Sequence, residues 1–397
     1  MAGGDKRIRI DDDGVDRITE LPVNLKVHIL DCLSIKDAVA TSVLSSKWRY
    51  CWTGLRKLVF DKEFWKFGED STVLENARAI DRVLMRHSGP IREFILFIPD
   101  LKDKRMDINM WLHVLSNNGV QKIEINAFDY KDGLFPIPSG LFTCHELEEL
   151  SLCRCTLTLP SDFKGFKNLS SLSLNCIYIA PGILESLISG CLLLETLSLK
   201  DMVPVRSIEA LNLKSFYYED LTSESIIFKD IPNLTRVSLL STSEDRISRQ
   251  KTYSTLEQLC SLFRITEFTF DFLLLGPLSE NCLSSTLTPL ENLKSLTLRS
   301  VDLCLSSDVL FTLYLMGSAP NLRNLTLHLA SEKKWDEDRK LQTDAAKLLK
   351  AEAKKPTSYN NLQTIKISGF VGLLHESLLI KLLQTWCQKL KSIIIER

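Results

Sequence analysis

Residues 147–157 read LEELSLCRCTL. The apolar positions of this stretch are Leu147, Leu150, Leu152, Cys155 and Leu157. The alternation of leucine and serine in its middle is typical of a strand with one buried face, because successive side chains of a strand point to opposite sides. The positions at Cys155 and Leu157 predict that the chain then turns back into the same core. Cys155 is expected to be a small core residue whose thiol satisfies nearby backbone.

The pattern apolar-x-x-apolar-x-apolar occurs thirteen times along the chain. The clear copies are LEELSL (147–152), LSSLSL (169–174), LETLSL (194–199), LTRVSL (234–239), LKSLTL (293–298) and LRNLTL (322–327). The weaker copies are LRKLVF (55–60), IREFIL (91–96), VQKIEI (120–125), LKSFYY (213–218), ITEFTF (265–270), LQTIKI (362–367) and LKSIII (390–395). By subtraction of these positions, consecutive copies start 19 to 40 residues apart, and most start 21 to 31 apart.

This period is that of leucine-rich repeats, whose unit is about 20–29 residues with a strand on the inside of a horseshoe. Helix-like segments lie between the strands, so the fold class is α/β, with a curved parallel sheet inside and helices outside. The predicted helices are Thr72–His87, Asp107–Ser116, Pro181–Cys191, Leu256–Phe263, Ser306–Pro320 with Ser307 as N-cap, and Glu376–Gln388. Asparagine residues that mark the turn before a strand are Asn168, Asn233, Asn292, Asn321 and Asn361.

Two polar stretches, 241–254 and 331–361, interrupt the repeats. The second contains good helix formers of alternating charge from Asp336 to Lys354. That pattern favours a solvated helix over a recognition element. Such insertions are expected to form loops on one face of the array.

Residues 16–33, DRITELPVNLKVHILDCL, crowd apolar side chains into a short segment before the first repeat. The helix signals that surround it are Pro22 for a first helix, Ser34 with Asp37 for a second, and Trp48 with Trp52 for a third. Residues 21–52 are therefore predicted to form three short helices.

A module of about forty residues buries little on its own without disulfides or a metal. Part of its apolar surface is expected to pack on the first strand, LRKLVF at residues 55–60. The remainder is best explained by a partner protein that supplies helices.

DRITELP, HIL, KDAVATSVLS and KWR in this module resemble the F-box of plant F-box/leucine-rich-repeat proteins. Residues 362–397, LQTIKISGFVGLLHESLLIKLLQTWCQKLKSIIIER, resemble the first half of the FBD region that follows the repeats in many of those proteins. The predicted organisation is a polar tail at 1–14, a short all-helical F-box at 15–53, a leucine-rich-repeat solenoid at 54–359 and FBD-like repeats at 360–397.

The resemblance implies a non-catalytic substrate receptor of an SCF-type cullin–RING ubiquitin ligase, which binds an adaptor, and through it a cullin, and presents a target protein. By the family's pattern, the residues that face the adaptor would be Leu21, Pro22, Leu25, Ile29, Leu30, Leu33, Val39, Val43 and Trp48. On the alternative interpretation, about half of them are the module's own core. A second alternative for the whole chain is a leucine-rich-repeat scaffold or sequestering protein that joins no ligase.

The residues that flank the inner leucines of each strand would form the target-binding face. The candidates are Glu149, Ser151, Ser173, Lys200, Tyr217, Glu267, Asp271, Arg299 and His328. Small hydroxyl residues dominate this face, and its charges change sign along the array, which favours a specific protein over a uniformly charged polymer. The charged insertion at 331–355 is the next candidate.

Other functions find little support in the sequence. The motifs of P-loop, Rossmann, serine-hydrolase and zinc-peptidase enzymes are missing, and the six histidines are scattered, so no enzyme activity and no cofactor are expected. Cys144, His145, Cys153 and Cys155 lack the spacing of a structural zinc site. A net charge of −1 argues against nucleic-acid binding, and no apolar run approaches the ~20 residues that span a bilayer. Without a recognisable secretory signal, a cytoplasmic or nuclear location with reduced cysteines is expected.

Overall fold

A computed structural model describes residues 16–66, 73–99, 106–127, 133–180, 182–202, 205, 207–220, 226–241, 264–274, 289–330, 339–355 and 359–396. Its main feature is a parallel sheet of thirteen strands that follow one another in chain order. The strands are β1 Lys57–Phe60, β2 Glu93–Ile98, β3 Lys122–Ala127, β4 Glu149–Cys153, β5 Ser171–Asn175, β6 Thr196–Lys200, β7 Ser215–Asp220, β8 Arg236–Ser241, β9 Glu267–Asp271, β10 Ser295–Val301, β11 Asn324–Leu329, β12 Thr364–Ser368 and β13 Ser392–Glu396. Each of the thirteen sequence copies overlaps one of these strands, so the predicted fold class is confirmed.

Equivalent residues of successive repeats lie side by side across the sheet. Leu150 of β4 is in register with Ile123 of β3 and Leu172 of β5, and Leu152 is in register with Ile125 and Leu174. These apolar columns are buried and join one continuous hydrophobic core that also includes the inner sides of the helices. Because each repeat buries its apolar residues only against its neighbours, the core runs the length of the array.

Helices alternate with the strands where the hydrophobic period lengthens. They are α1 Val23–Leu30, α2 Ile35–Ala40, α3 Lys62–Trp65, α4 Val73–Arg86, α5 Ile108–Asn117, α6 Ile183–Gly190, α7 Ser306–Gly317, α8 Arg339–Glu352 and α9 Leu374–Trp386. Five predicted helices correspond to α4, α5, α6, α7 and α9, and the helix predicted at Leu256–Phe263 lies outside the described residues. Among the described helices, none combines the length and the apolar character that crossing a bilayer requires.

Three local predictions need correction. Leu305, not Ser307, precedes the first turn of α7, and Ser307 lies inside the helix. The segment that carries Trp48 and Trp52 is not a third helix but a series of turns that ends in a 3₁₀ turn at Cys51–Gly54. The helix α8 is not solvated all round, because Ala345 and Leu349 are buried against its neighbours.

The asparagines before the strands connect one repeat to the next. In each case the side-chain amide donates to a backbone carbonyl in the preceding repeat. The bonds are Asn168 to His145 (3.4 Å), Asn212 to Leu192 (2.8 Å), Asn233 to Leu211 (2.9 Å), Asn321 to Glu291 (2.8 Å) and Asn361 to Pro320 (3.1 Å). The asparagine that marks a turn in the sequence therefore also satisfies a carbonyl that the neighbouring turn leaves free.

Candidate functional sites: the N-terminal module and the open face of the sheet

The N-terminal module, residues 16–54, has a small core of its own that is continuous with the core of the first repeat. Leu30 and Trp48 are 0% and 3% exposed, and both belong to the same hydrophobic cluster as Leu58 and Phe60 of β1. Ser34 caps α2 by accepting a hydrogen bond from the backbone N–H of Asp37, as the S-x-x-D pattern predicts. The module therefore packs on the first strand, as expected from the sequence.

Lys26 is a structural residue of the module that the sequence analysis missed. It is 3% exposed, and its ammonium nitrogen lies 5.5 Å from the centre of the Trp48 ring. A cation over an indole face at this distance is a favourable cation–π contact. Lys26 and Trp48 therefore hold α1 against the turn segment, and no periodic signal in the sequence connects the two residues.

An exposed apolar row lies along α1 and the turn after it. Leu25, Ile29 and Leu33 are spaced four residues apart and are 45%, 42% and 43% exposed. Val43 and Leu44, after α2, are exposed to 85% and 67%. Isolated exposed leucines are ordinary in proteins, but five such side chains within about twenty residues are a concentration of unburied apolar surface.

The predicted adaptor residues separate into three groups. Pro22, Leu25, Ile29, Leu33 and Val43 are exposed, Leu21 and Val39 are half-buried, and Leu30 and Trp48 are buried. For Leu30 and Trp48 the prediction of an outward-facing side chain is wrong, because both fill the module's core. Ile18, Val23 and Leu44 are exposed apolar residues that were not predicted. Their positions beside the predicted residues in sequence were the signal that could have found them.

The face of the sheet opposite the buried columns, here called the open face, presents rows of partly exposed side chains. Its central row is in Cα register from β3 to β12 and is made mostly of hydroxyl residues. In chain order the row is Glu124, Ser151, Ser173, Ser198, Tyr217, Ser238, Thr269, Thr297, Thr326 and Lys366. Because the strands keep this register, the hydroxyl residues of separate repeats form one continuous row.

Several charges on the open face are paired across neighbouring strands. Glu149 accepts from Lys122 at 2.8 Å, and a hydrogen bond to this carboxylate raises the pKa of Lys122. Lys200 lies 3.2 Å from Glu219. Each pair places opposite charges side by side, so neither lysine presents an uncompensated charge on the open face.

Tyr217 belongs to the same group as Lys200. Its hydroxyl donates to Glu219, and burial, together with this hydrogen bond, raises the pKa of Tyr217 to about 12. The phenol is therefore protonated at neutral pH and is fixed by the carboxylate. Two of the predicted target residues, Tyr217 and Lys200, thus share one acidic partner.

The remaining predicted target residues differ in accessibility. Asp271 is only 3% exposed, and its carboxylate accepts from the backbone N–H of Leu273 at 3.0 Å, so it caps the 3₁₀ turn Phe272–Leu274 and does not point outward as predicted. His328 lies 2.6 Å from the Ser368 hydroxyl, and burial, with the positive charges of Arg299 and Lys366, lowers its pKa. Arg299 and Glu267 are exposed.

Cys155 has the position and contact predicted from the repeat. Its side chain is fully buried and its thiol lies 3.2 Å from the backbone carbonyl of Cys153, to which it donates. Burial raises the pKa of Cys155 to about 12, so the thiol is protonated. Within the described ranges, no three His, Cys, Asp or Glu side chains come together as a group that could hold a metal ion.

Two family models and several individual plant proteins match the sequence of this chain. An F-box domain model matches residues 18–60, and a model described as the LRR repeats of FBD-associated F-box protein At5g56370 matches residues 108–262. Parts of the chain are similar in sequence to F-box/FBD/LRR-repeat proteins of Arabidopsis thaliana. The F-box match includes β1, which agrees with the shared core of the module and the first repeat.

Two relatives illustrate the extent of the homology. The F-box/FBD/LRR-repeat protein At1g13570 of Arabidopsis thaliana is 43% identical over 228 residues, which are 56% of this chain and 53% of the relative. The F-box/FBD/LRR-repeat protein At5g44950 of the same plant is 29% identical over 331 residues, 79% of this chain and 72% of the relative. The matched regions span about half the length of the first curated relatives.

Among solved structures, the leucine-rich repeat-containing protein LegL7 from Legionella pneumophila matches 86% of this chain and 90% of its own. The sequence identity is 13% and the TM-score is 0.35. The assignment of the fold rests instead on the register of the thirteen strands.

Proposed function

We propose that the protein is the substrate-recognition subunit of an SCF-type cullin–RING ubiquitin ligase. The observation that carries this proposal is the coincidence of the F-box match at residues 18–60 with exposed apolar side chains on the module that it covers. The F-box binds an SKP1-type adaptor, which links the protein to a cullin, and the repeats hold a target protein. The ligation chemistry belongs to other subunits, so this chain has no catalytic role. The complex acts in the cytoplasm or the nucleus.

The adaptor contacts the apolar row Leu25, Ile29 and Leu33. Each side chain is nearly half exposed in the free protein, and burying such a side chain completely stabilises a complex by up to about 2 kcal/mol. The buried residues Leu30 and Trp48 contribute indirectly, because they fix α1 in the orientation that presents the row.

The target binds on the open face. The hydroxyl row offers donors and acceptors that adapt to a protein surface, and Arg299 adds an exposed charge among side chains that are largely paired. The proposed domain boundaries are an F-box at residues 15–53, leucine-rich repeats at 54–359 and FBD-like repeats at 360–397.

Co-purification with an SKP1-type adaptor tests the first half of the proposal. The double variant Leu25→Asp/Ile29→Asp should lose the adaptor and remain folded by circular dichroism, because neither side chain belongs to the buried core. Leu192→Asp is the matched control, since Leu192 is an exposed leucine in the repeats. Retention of the adaptor by the double variant would refute the proposed surface. Failure of the wild-type chain to bind any adaptor would favour the alternative, a scaffold or sequestering protein outside the ligase.

A further inference from the structure

A cavity of about 440 Å³ lies among the helices α7, α8 and α9, towards the C-terminal end of the repeats. The helix α7 forms one wall with residues about one turn apart, Leu310, Leu313, Tyr314 and Gly317. The other walls include the last residue of α8, Glu352, the last residue of α9, Trp386, and Tyr359 between the two helices. The volume is within the range of small-molecule sites in proteins, about 300–1,000 Å³.

The corner made by Tyr359 and Trp386 is fixed by contacts within the protein. The backbone N–H of Tyr359 donates to the Trp386 carbonyl at 2.8 Å, and the centres of the two rings are 5.8 Å apart. A Cβ added to Gly317 would lie 4.0 Å from the Tyr359 hydroxyl oxygen, which therefore faces α7 where that helix has no side chain. The cavity is thus a preformed feature of the fold, and its walls connect α7 with α9.

Trp386 brings an unused hydrogen-bond donor to this site. The residue is 3% exposed, and its indole N–H is inaccessible to solvent and has no hydrogen-bond partner in the described part of the chain. A buried polar group without a partner is uncommon in folded proteins, and a bound ligand or water is its usual explanation. Because an indole N–H can only donate, the partner that satisfies it must be an acceptor.

The electrostatic character of the cavity comes from one carboxylate. Among the described residues that line the cavity, Glu352 is the only charged one. Its carboxylate lies 2.6 Å from the ammonium nitrogen of Lys355, whose side chain is 61% exposed. A carboxylate has about four acceptor positions, so Glu352 can accept a further hydrogen bond on the cavity side. This wall favours a ligand that donates and disfavours one that is an anion.

Aromatic rings supply much of the remaining surface. Tyr314, Tyr359 and Trp386 all line the cavity, and the rings of Tyr359 and Trp386 are inclined at 59° to each other. Burial raises the pKa of Tyr359 to about 12, so its hydroxyl is protonated at neutral pH. Flat rings of this kind pack well against the flat or edge surface of another aromatic ring.

We propose that this cavity binds a small planar heteroaromatic molecule that carries an exocyclic amino group, the chemistry of an aminopurine. A ring nitrogen of such a ligand accepts from the Trp386 N–H, the amino group donates to Glu352, and the ring packs against Tyr359. Such a molecule combines the acceptor, the donor and the flat apolar body that the three residues require. The lining residues belong neither to the N-terminal module nor to the open face, so the inference does not rest on the proposed ligase role.

Ligand-detected NMR titration of the full chain tests the inference with three probes: adenine, purine, which lacks the amino group, and benzoate, which is an aromatic anion. Adenine should bind most tightly, purine about tenfold more weakly or worse, and benzoate should not bind. Glu352→Leu should remove the preference for adenine over purine, because the carboxylate that accepts from the amino group is then missing.

Trp386→Phe should weaken adenine binding by roughly three- to tenfold. It keeps an aromatic ring at this position and removes an N–H that makes no hydrogen bond in the free protein, so the variant should remain folded. Trp65→Phe is the matched control, because Trp65, at the end of α3 in the first repeat, also has a solvent-inaccessible indole N–H without a partner among the described residues. That control should bind adenine like the wild type. Circular dichroism and melting temperature verify that each variant is folded.

The opposite results would overturn the proposal. An absence of adenine binding by the wild type at millimolar concentration would leave water as the partner of Trp386. Equal affinities for adenine and purine would remove the role of the amino group, and binding of benzoate as tight as that of adenine would contradict the role of Glu352. An equal loss in Trp386→Phe and Trp65→Phe would place the ligand elsewhere. Adaptor co-purification should be unchanged in Trp386→Phe, so a failure of this inference is distinguishable from a failure of the proposed function.

Discussion

At the scale of single residues, two glycines determine how closely two backbone segments of neighbouring repeats approach each other. A Cβ added to Gly190, the last residue of α6, would lie 2.7 Å from the backbone oxygen of Lys164. Its neighbour Gly165 has φ +102°, and a Cβ there would lie 2.1 Å from the oxygen of Gly190. The contact is between two backbones, so neither side can yield by a rotamer change. Only glycine fits at both positions.

Gly190→Ala should therefore destabilise the protein by about 1–3 kcal/mol, because the methyl group forces two backbone segments apart. Gly317→Ala is the matched control, since Gly317 also ends a helix, α7, and an added Cβ would come no closer than 4.0 Å to another atom, the Tyr359 hydroxyl oxygen. That substitution should be neutral or slightly stabilising. Urea denaturation measures both. Equal stability of the two variants would show that the close approach at Gly190 is not maintained in solution.

The N-terminal module shows which residue-level predictions the sequence could not decide. In α1, VNLKVHIL, apolar residues occupy most positions, so the helical period does not identify one buried side. Leu30 is in the core while Leu25 and Ile29 are exposed, although all three fit the F-box pattern equally well. The burial of Lys26 depends on Trp48, which is distant in sequence and carries no periodic signal.

At the scale of elements, the strands were predictable and the inserted helix was not. Every strand of the thirteen-stranded sheet follows an alternation that the sequence repeats, and the register fixes its neighbours. The helix α8 instead has a charged composition that indicated solvent on all sides. Its small buried face, which includes Ala345 and Leu349, is set by contacts with α7 and α9, more than twenty residues away in sequence. In the sequence of α8, two alanines and a leucine among lysines form an apolar stripe that is too weak to predict that packing.

Leu349→Ala tests whether α8 is part of the array. Leu349 is 1% exposed, so its truncation should lower the free energy of unfolding by about 2–5 kcal/mol through loss of buried contacts and the cavity left behind. Lys350→Ala, at the next and exposed position of the same helix, should change it by less than about 0.5 kcal/mol. Thermal melting of both variants is the measurement. An unchanged melting temperature for Leu349→Ala would restore the prediction of a solvated helix.

At the scale of the whole molecule, three histidines at distant points of the array respond to pH in the same direction. Burial lowers the pKa of His87 at the first repeat, of His328 on the open face and of His375 in α9 below the ordinary value of 6.5. In the unfolded chain these groups take up protons more readily than in the folded protein. The stability that their neutral forms contribute is therefore present above pH 6.5 and is lost as the pH falls through the lowered folded values.

The melting temperature should accordingly fall between about pH 8 and pH 5, and His87→Gln should reduce that dependence. His87 is a suitable position because its ring nitrogen Nε2 lies 2.7 Å from the carbonyl of Leu55, a contact that glutamine can also make. His113→Gln is the control, because His113 is exposed on α5. A pH dependence that is identical in wild type and His87→Gln would assign the acid sensitivity to other groups.

The arrangement of charge over the whole array bears on how a target is recognised. Lys122 and Lys200 are already paired with Glu149 and Glu219 on neighbouring strands, so reversing either lysine would disturb the sheet as well as a partner. Arg299 is exposed, and no described residue forms an ion pair with it. Of the positive charges predicted to bind the target, Arg299 is therefore the one whose change reports on binding with the least effect on folding.

Proximity labelling in cells provides the measurement, with the adaptor-deficient variant Leu25→Asp/Ile29→Asp as the background. If the protein delivers its target for degradation, this background should accumulate the target, because it still binds but no longer joins the ligase. Adding Arg299→Glu should reduce the captured target several-fold, since like charges then face each other across the interface. Lys381→Glu, an exposed reversal on α9, is the control and should leave capture unchanged. Equal capture with Arg299→Glu would exclude the part of the open face around Arg299 as a recognition surface, and the charged segment at 339–355 would be the next surface to reverse.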